Sequence, residues 1–252
     1  MIALLLFLAA AEPVPVETML SAADNAMRQN KPERARLMLD EARKSYPKDG
    51  RVDFMAAMSY AQQEKDEEAI TAYRAAIVKT PTLRHAYLQL AMLLDVLERY
   101  DQSDEVYREA TKQFPKDAEL FYEWGTTLIL RKRFKEAEVA LRTALAISPR
   151  DAQTMADLAF VEYKLGKPKD AVKRYELAYK TGTVDKEMRR HYADALAGAG
   201  ELDNAEAIYT ELLAAASPDA DLWYRRGKVR AAKGDKAGAA ADNAEWEKRK
   251  KK

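Results

Sequence analysis

Two histidines, His85 and His191, are the only imidazoles in a chain that has no cysteine. They stand three repeat lengths apart, and neither belongs to an H-E-x-x-H or triad-like motif, so general-base and metal chemistry lack their usual donors. The missing thiols exclude disulfides, thiolate metal sites, a cysteine nucleophile and a lipid-modified N-terminal cysteine. Nine glycines form neither a G-x-x-x-x-G-K-[S/T] loop nor a G-x-G-x-x-G turn, so no phosphate cradle is expected. The acidic run Glu64-Lys65-Asp66-Glu67-Glu68 falls where a helix begins, and negative charge suits that end of the dipole. It reads as a cap. No catalysis, cofactor or metal ion is expected, and the chemistry left is recognition by methionine and aromatic side chains.

Those side chains need a scaffold, and its period is visible. Pro47, Pro81, Pro115 and Pro149 are spaced 34 residues apart. A fixed period of this size signals a stack of like units, each with a helix A, a turn, a helix B and a proline that stops helix B. Hydrophobic residues make up 48% and charged residues 33%, as fits many amphipathic helices with solvated outer faces. The units run 16–49, 50–83, 84–117, 118–151, 152–185, 186–219 and 220–252. Ala35, Ala69, Ala137, Ala171, Ala205 and Ala239 recur early in helix B, with Ser103 in the third unit. Seven residues later come Ala42, Ala76, Ala110, Ala144 and Ala178. Between them lies a bulky residue: Leu39, Tyr73, Tyr107, Leu141, Tyr175 or Tyr209. Small side chains let helices approach closely, and the bulky one fills the space beside them. From Pro149 to Pro218 is 69 residues, which implies one inserted residue in the fifth or sixth unit. With Gly198 and Gly200 nearby, a local change of pitch is expected there.

Helix A carries Tyr87, Phe121 or Trp223 near its start, and the fourth unit reads Phe121-x-x-Trp124-Gly125-x-x-Leu128. With the alanine, bulky and proline rows, the chain resembles the tetratricopeptide repeat family over essentially all of 16–252. The resemblance implies an all-α, right-handed α-solenoid of about seven antiparallel helix pairs, one array ending in a basic capping helix. It also implies that the A helices line a concave groove for a peptide or amphipathic helix of another protein. The inward positions carried over are Leu20, Asp24 and Met27, then Phe54, Met58 and Gln62, then Leu88, Met92 and Asp95. Tyr122, Thr126 and Ile129 follow, then Phe160 and Tyr163, then Arg190 and Asp194. Methionine adapts to irregular apolar surfaces, and aromatic groups supply area at low entropy cost. The densest apolar lining lies in the regular half, 16–151, where the partner is expected first. The lysine, asparagine and arginine clamp that holds heat-shock-protein tails in this family is missing, since those places carry Leu20, Asp24, Phe54 and Met58.

The two ends carry separate expectations. Residues 1–11 are apolar, end in Ala9-Ala10-Ala11, and are followed by a linker at 12–15, a pattern read as a signal peptide. Eleven helical residues span about 16 Å, too short for a hydrocarbon core of about 30 Å. The alternative is an apolar segment at the head of the first repeat. At the other end, eleven basic residues against four acids give 225–252 a charge of +7, leaving −6 for the rest. The run Lys248, Arg249, Lys250, Lys251 and Lys252 offers weak contact with an anionic surface, while nucleic acid is not an expected partner. The sequence thus points to an exported, periplasmic scaffold supporting assembly of a bacterial envelope complex. The alternative is a cytoplasmic adaptor or the regulatory subunit of a separate enzyme.

Overall fold

A computed structural model of the protein describes residues 14–182, 185–215 and 219–250, and their regular structure is helical throughout. The A helices are α1 (Val16–Arg28), α3 (Gly50–Ala61), α5 (Arg84–Val96), α7 (Ala118–Leu130), α9 (Ala152–Lys164), α11 (Lys186–Ala199) and α13 (Ala220–Lys233). The B helices are α2 (Pro32–Ser45), α4 (Asp66–Lys79), α6 (Tyr100–Gln113), α8 (Phe134–Ile147), α10 (Pro168–Thr181), α12 (Leu202–Ala214) and α14 (Lys236–Arg249). Consecutive helices pack as antiparallel pairs. The chain gathers into two compact units, the first ending at Pro115 and holding α1–α6, the second starting at Lys116 and holding α7–α14.

Every A helix begins 34 residues after the last, and so does every B helix. The inserted residue expected after Pro149 is therefore absent. Pro218 stands two positions ahead of α13, where the earlier prolines stand three ahead of their A helices. Pro218 itself lies outside the described residues, and the register is set by where the helices start. Gly200 is likewise no irregularity. It holds a positive φ of 87°, and every A-to-B turn has such a residue at the equivalent place: Asn30, Glu64, Glu98, Lys132, Gly166, Gly200 and Gly234. The left-handed residue ends helix A and swings the chain back into helix B.

Most A helices start at an aspartate cap. Asp117, Asp151 and Asp185 accept from the backbone N–H three residues on, and Asp49 and Asp219 from the one two residues on. The acidic run at α4 differs from the expected cap. Its N-cap is Lys65, with no side-chain bond, so Asp66, Glu67 and Glu68 favour the helix start through its dipole, and Glu67 also pairs with Arg99. The small and bulky rows are buried as expected: Ala35, Ala69, Ser103, Ala137, Ala171 and Ala205 are closed to solvent, as are the bulky residues from Leu39 to Tyr209. Across from them, a Cβ on Gly125 would come within 2.7 Å of the Leu141 side chain.

Four buried acids tie neighbouring helices together. Asp53 of α3 accepts from Arg43 of α2 at 3.0 Å and Lys79 of α4 at 2.6 Å. Glu162 of α9, fully buried, binds Arg142 of α8 at 2.8 Å and Arg174 of α10 at 2.8 and 2.9 Å. Asp194 of α11 accepts from Tyr209 of α12 and Arg225 of α13, both at 2.6 Å. In the last pair, Asp242 of α14 holds Arg226 of α13 through two bonds of 2.9 and 2.7 Å.

The turn series yields a paired prediction. A side chain in the left-handed region costs about 1–2 kcal/mol, and glycine removes that cost. Replacing Glu98 with glycine should raise the unfolding free energy by about 1 kcal/mol, while Gly200→Ala should lower it by about as much. Urea titrations of both variants check the two signs.

Candidate functional site

The A helices α7, α9 and α11 lie side by side in the second unit, α9 touching both neighbours. Between them opens a hollow of about 350 Å³. Ile129 and Leu130 close α7 on one side, Phe160 forms the middle, and Met188 and His191 come from α11. Gln153, Asp157, Asp185 and Glu187 complete the lining. The Phe160 ring is held edge-on by Phe134 at 6.2 Å and lies 4.5 Å from the His191 ring, so the floor is fixed before anything binds. Leu130 is 81% exposed, a large aliphatic group left in water at the rim.

The polar groups of this hollow are tuned by burial. Asp157 takes hydrogen bonds from the Gln153 amide at 3.2 Å and from the Tyr122 hydroxyl. Desolvation pushes its carboxyl above the ordinary aspartate range, and the charges of Asp185 and Asp151 add to the rise. Burial also raises Tyr122, helped by Asp157. His191 goes the other way: burial, reinforced by Arg190, lowers its pKa and keeps the ring neutral at pH 7.

A second hollow, about 220 Å³, follows along α9, α11 and α13. Tyr163, Asp194, Tyr224, Arg225 and Lys228 line it. Its charges answer one another, since Arg225 bonds both Asp194 and Asp221. Arg190 borders a third hollow with Lys186, Leu212 and Leu222, and pairs with Glu187 at 3.3 Å.

The expected groove residues thus separate by location. Ile129 and Phe160 share the first hollow, with Tyr122 bonded beside it through Asp157, and Tyr163 and Arg190 border the next two. In the first unit, Met58 of α3 and Met92 of α5 occupy equivalent positions and are 38% and 42% exposed. Leu20 and Phe54 are half-buried, Phe54 against the Tyr73 ring at 5.9 Å. Met27 and Leu88 are buried at 7% exposure and belong to packing, not to an open face. The first unit's own hollow, about 430 Å³, lies among Arg43, Asp53, Tyr60, Glu67 and Thr71 and includes none of the expected residues. The hollow of α7, α9 and α11 takes Ile129 and Leu130 from the regular half 16–151 and its other lining residues from beyond it.

Sequence reasoning did not single out Asp157 or Leu130, and it set His191 aside for lack of a catalytic motif. The signal was present, for His191 follows Asp157 by 34 residues and Glu187 follows Gln153 by the same interval. These pairs face one another across adjacent A helices. At the C-terminus, Lys248 and Arg249 pair with Glu245, and Lys250 with Glu247, so much of the basic run is neutralised within α14. Lys251, Lys252 and the apolar segment 1–11 lie outside the described residues. Among the described residues no helix is long and apolar enough to cross a membrane.

Paired helices in strict register define a tetratricopeptide-repeat scaffold for protein–protein interaction. The chain belongs to the family of the cilia and flagella-associated protein 70 C-terminal domain, whose model matches residues 8–250. Among solved structures, a tetratricopeptide repeat protein of Parabacteroides merdae aligns with a TM-score of 0.63 and 18% identity, covering 93% of each chain. YrrB, described as a TPR protein with an unusual peptide-binding site, gives 0.62 and 24% over 71% of this chain and 92% of its own. PilF of Pseudomonas aeruginosa gives 0.61 and 22% over 83% and 92%. At these identities the likeness concerns the fold. No curated protein matches the chain.

The perturbed carboxyl gives a prediction with a definite sign. A carboxyl whose folded pKa lies above its unfolded one opposes folding at neutral pH, and that penalty shrinks as pH falls below the folded value and is gone below the unfolded one. Asp157→Asn keeps an acceptor for Tyr122 without the charge. It should raise Tm at pH 7, and its advantage over the parent should shrink towards about pH 4, where the unfolded carboxyl also protonates. Paired thermal melts across that range measure the difference.

Proposed function

We propose that the chain is a non-catalytic adaptor that holds a peptide or short helix of another protein against the A-helix face of its second unit. The observation that carries this reading is the hollow of α7, α9 and α11, where a fixed aromatic floor meets the exposed Leu130. Covering a leucine of this kind is worth about 1.5–3 kcal/mol, enough to anchor a short segment when joined to a few polar contacts. Ile129, Phe160 and Tyr163 carry over from the expected groove. Met58 and Met92 provide a secondary surface in the first unit.

For the setting, the family match supports the adaptor alternative over assembly of a bacterial envelope complex, because that family is described through a cilia- and flagella-associated protein. The export reading rests on residues 1–11 alone. YrrB's description as a peptide binder is in keeping with a peptide ligand here.

Two measurements test these points. A photo-crosslinking residue placed at Leu130 should yield a discrete protein adduct in cells of the source organism. The same residue at Val139 of α8, also exposed, should not. Equal adducts at both positions would reject the A-face assignment. The intact mass of the protein from the same cells should include residues 1–11, and a mass lacking them would restore the export reading.

A further inference from the structure

The hollow of α7, α9 and α11 has an unbalanced charge that the neighbouring hollows lack. Three carboxylates, Asp157, Asp185 and Glu187, border its apolar floor, and no lysine or arginine is among its described lining residues. Glu187 has a partner in Arg190 at 3.3 Å. Among the described residues, the hydrogen bonds to the Asp157 and Asp185 side chains come from neutral groups: Gln153 and Tyr122 for the first, the Met188 backbone N–H for the second. Lys164 lies over the Phe160 and Tyr163 rings, at 5.2 and 5.9 Å, and Arg190 meets the His191 ring at 3.2 Å. Elsewhere in the second unit the buried acids behave differently. Glu162, Asp194 and Asp242 each hold an arginine.

We infer that this hollow takes a basic, apolar peptide segment, with a lysine or arginine set between Asp157 and Asp185 and a neighbouring aliphatic side chain against Ile129, Leu130 and Phe160. The inference rests on the A-face reading above and names the partner's chemistry. Charge complementarity is the argument. Two carboxylates that repel each other across an apolar floor gain most from one cation placed between them, and water exclusion by the adjoining aliphatic group strengthens that attraction. An acidic peptide would meet the same carboxylates as a repulsion, so the arrangement discriminates as well as binds. Asp185 keeps its capping role throughout, since its Oδ1 serves the Met188 backbone N–H and a carboxylate has further acceptor capacity.

The test uses the full chain and a fluorescein-labelled peptide of alternating leucine and lysine, with a leucine–glutamate peptide as control, read by fluorescence anisotropy. The lysine peptide should bind at least about tenfold more tightly than the glutamate peptide at low salt. Asp157→Asn with Asp185→Asn, which preserves the cap, should remove most of that difference, and so should about 0.3 M salt. Leu130→Asn should weaken the lysine peptide by about tenfold. Circular dichroism confirms that each variant is folded. If both peptides bind equally and Leu130→Asn weakens both, the charge inference fails while the A-face reading stands. If the lysine peptide fails to bind, or binds without regard to any of these changes, both fail. Self-association of the chain, abolished by removing 248–252 or by the double aspartate change, would show a second copy's basic end as the occupant and overturn the inference.

Discussion

Close approach between helix A and helix B is the constraint on which the rest of this structure depends. At the crossing of each pair one helix offers alanine or glycine and the other offers alanine or serine. Gly125 shows how little room remains, because even one methyl group would intrude on Leu141. Helices held at that distance must be joined by a turn of fixed geometry, which explains the left-handed residue in the same place seven times. Fixed turns and fixed crossings leave only one repeat length, so helix starts never drift from 34 residues. The regular spacing of surface residues, and therefore of the hollows between A helices, follows from contacts made in the core.

This also explains what could be read from the residues alone. The alanine rows and the bulky row from Leu39 to Tyr209 are core positions whose size is dictated, and they marked the pairs correctly along the chain. Pro218 misled because proline spacing is only an indirect sign of where helices start, and α13 keeps the 34-residue interval regardless. The left-handed turns were hidden since three of the seven are Glu64, Glu98 and Lys132, residues that do not announce a positive φ. Candidate binding residues were only partly legible. Ile129, Phe160 and Tyr163 border open hollows, whereas Met27 and Leu88 point into packing, because a helix face turns gradually and apolar residues near its edge suit either fate. Asp157 escaped notice because an aspartate on a helix ordinarily faces water, and only the neighbours contributed by α7 and α11 make it unusual.

The two hollows along α9 and α11 differ in how their charges are settled. In the one that includes Tyr163, arginine and aspartate meet at short range and Tyr209 adds a hydrogen bond, so the lining is complete in itself. Around Phe160, Asp157 and Asp185 rely on a tyrosine hydroxyl, an amide and a helix end, while Glu187 pairs with Arg190. The same repeat architecture thus carries two neighbouring hollows of different charge. A scaffold built from near-identical parts varies its surface through a handful of exchanges on one helix face.

The buried acids have a meaning beyond cohesion. A chain of similar helices faces a sorting problem as it folds, for any B helix offers an alanine row to any A helix, and mismatched pairing is the characteristic error of such chains. Asp53 takes its cations from α2 and α4, and Glu162 from α8 and α10. Set against a helix without such a cation, either carboxylate would be buried without a counter-charge, at a cost of several kcal/mol. The apolar rows say that helices should pair. These few acids say which ones, and they write the order of the chain into its interior.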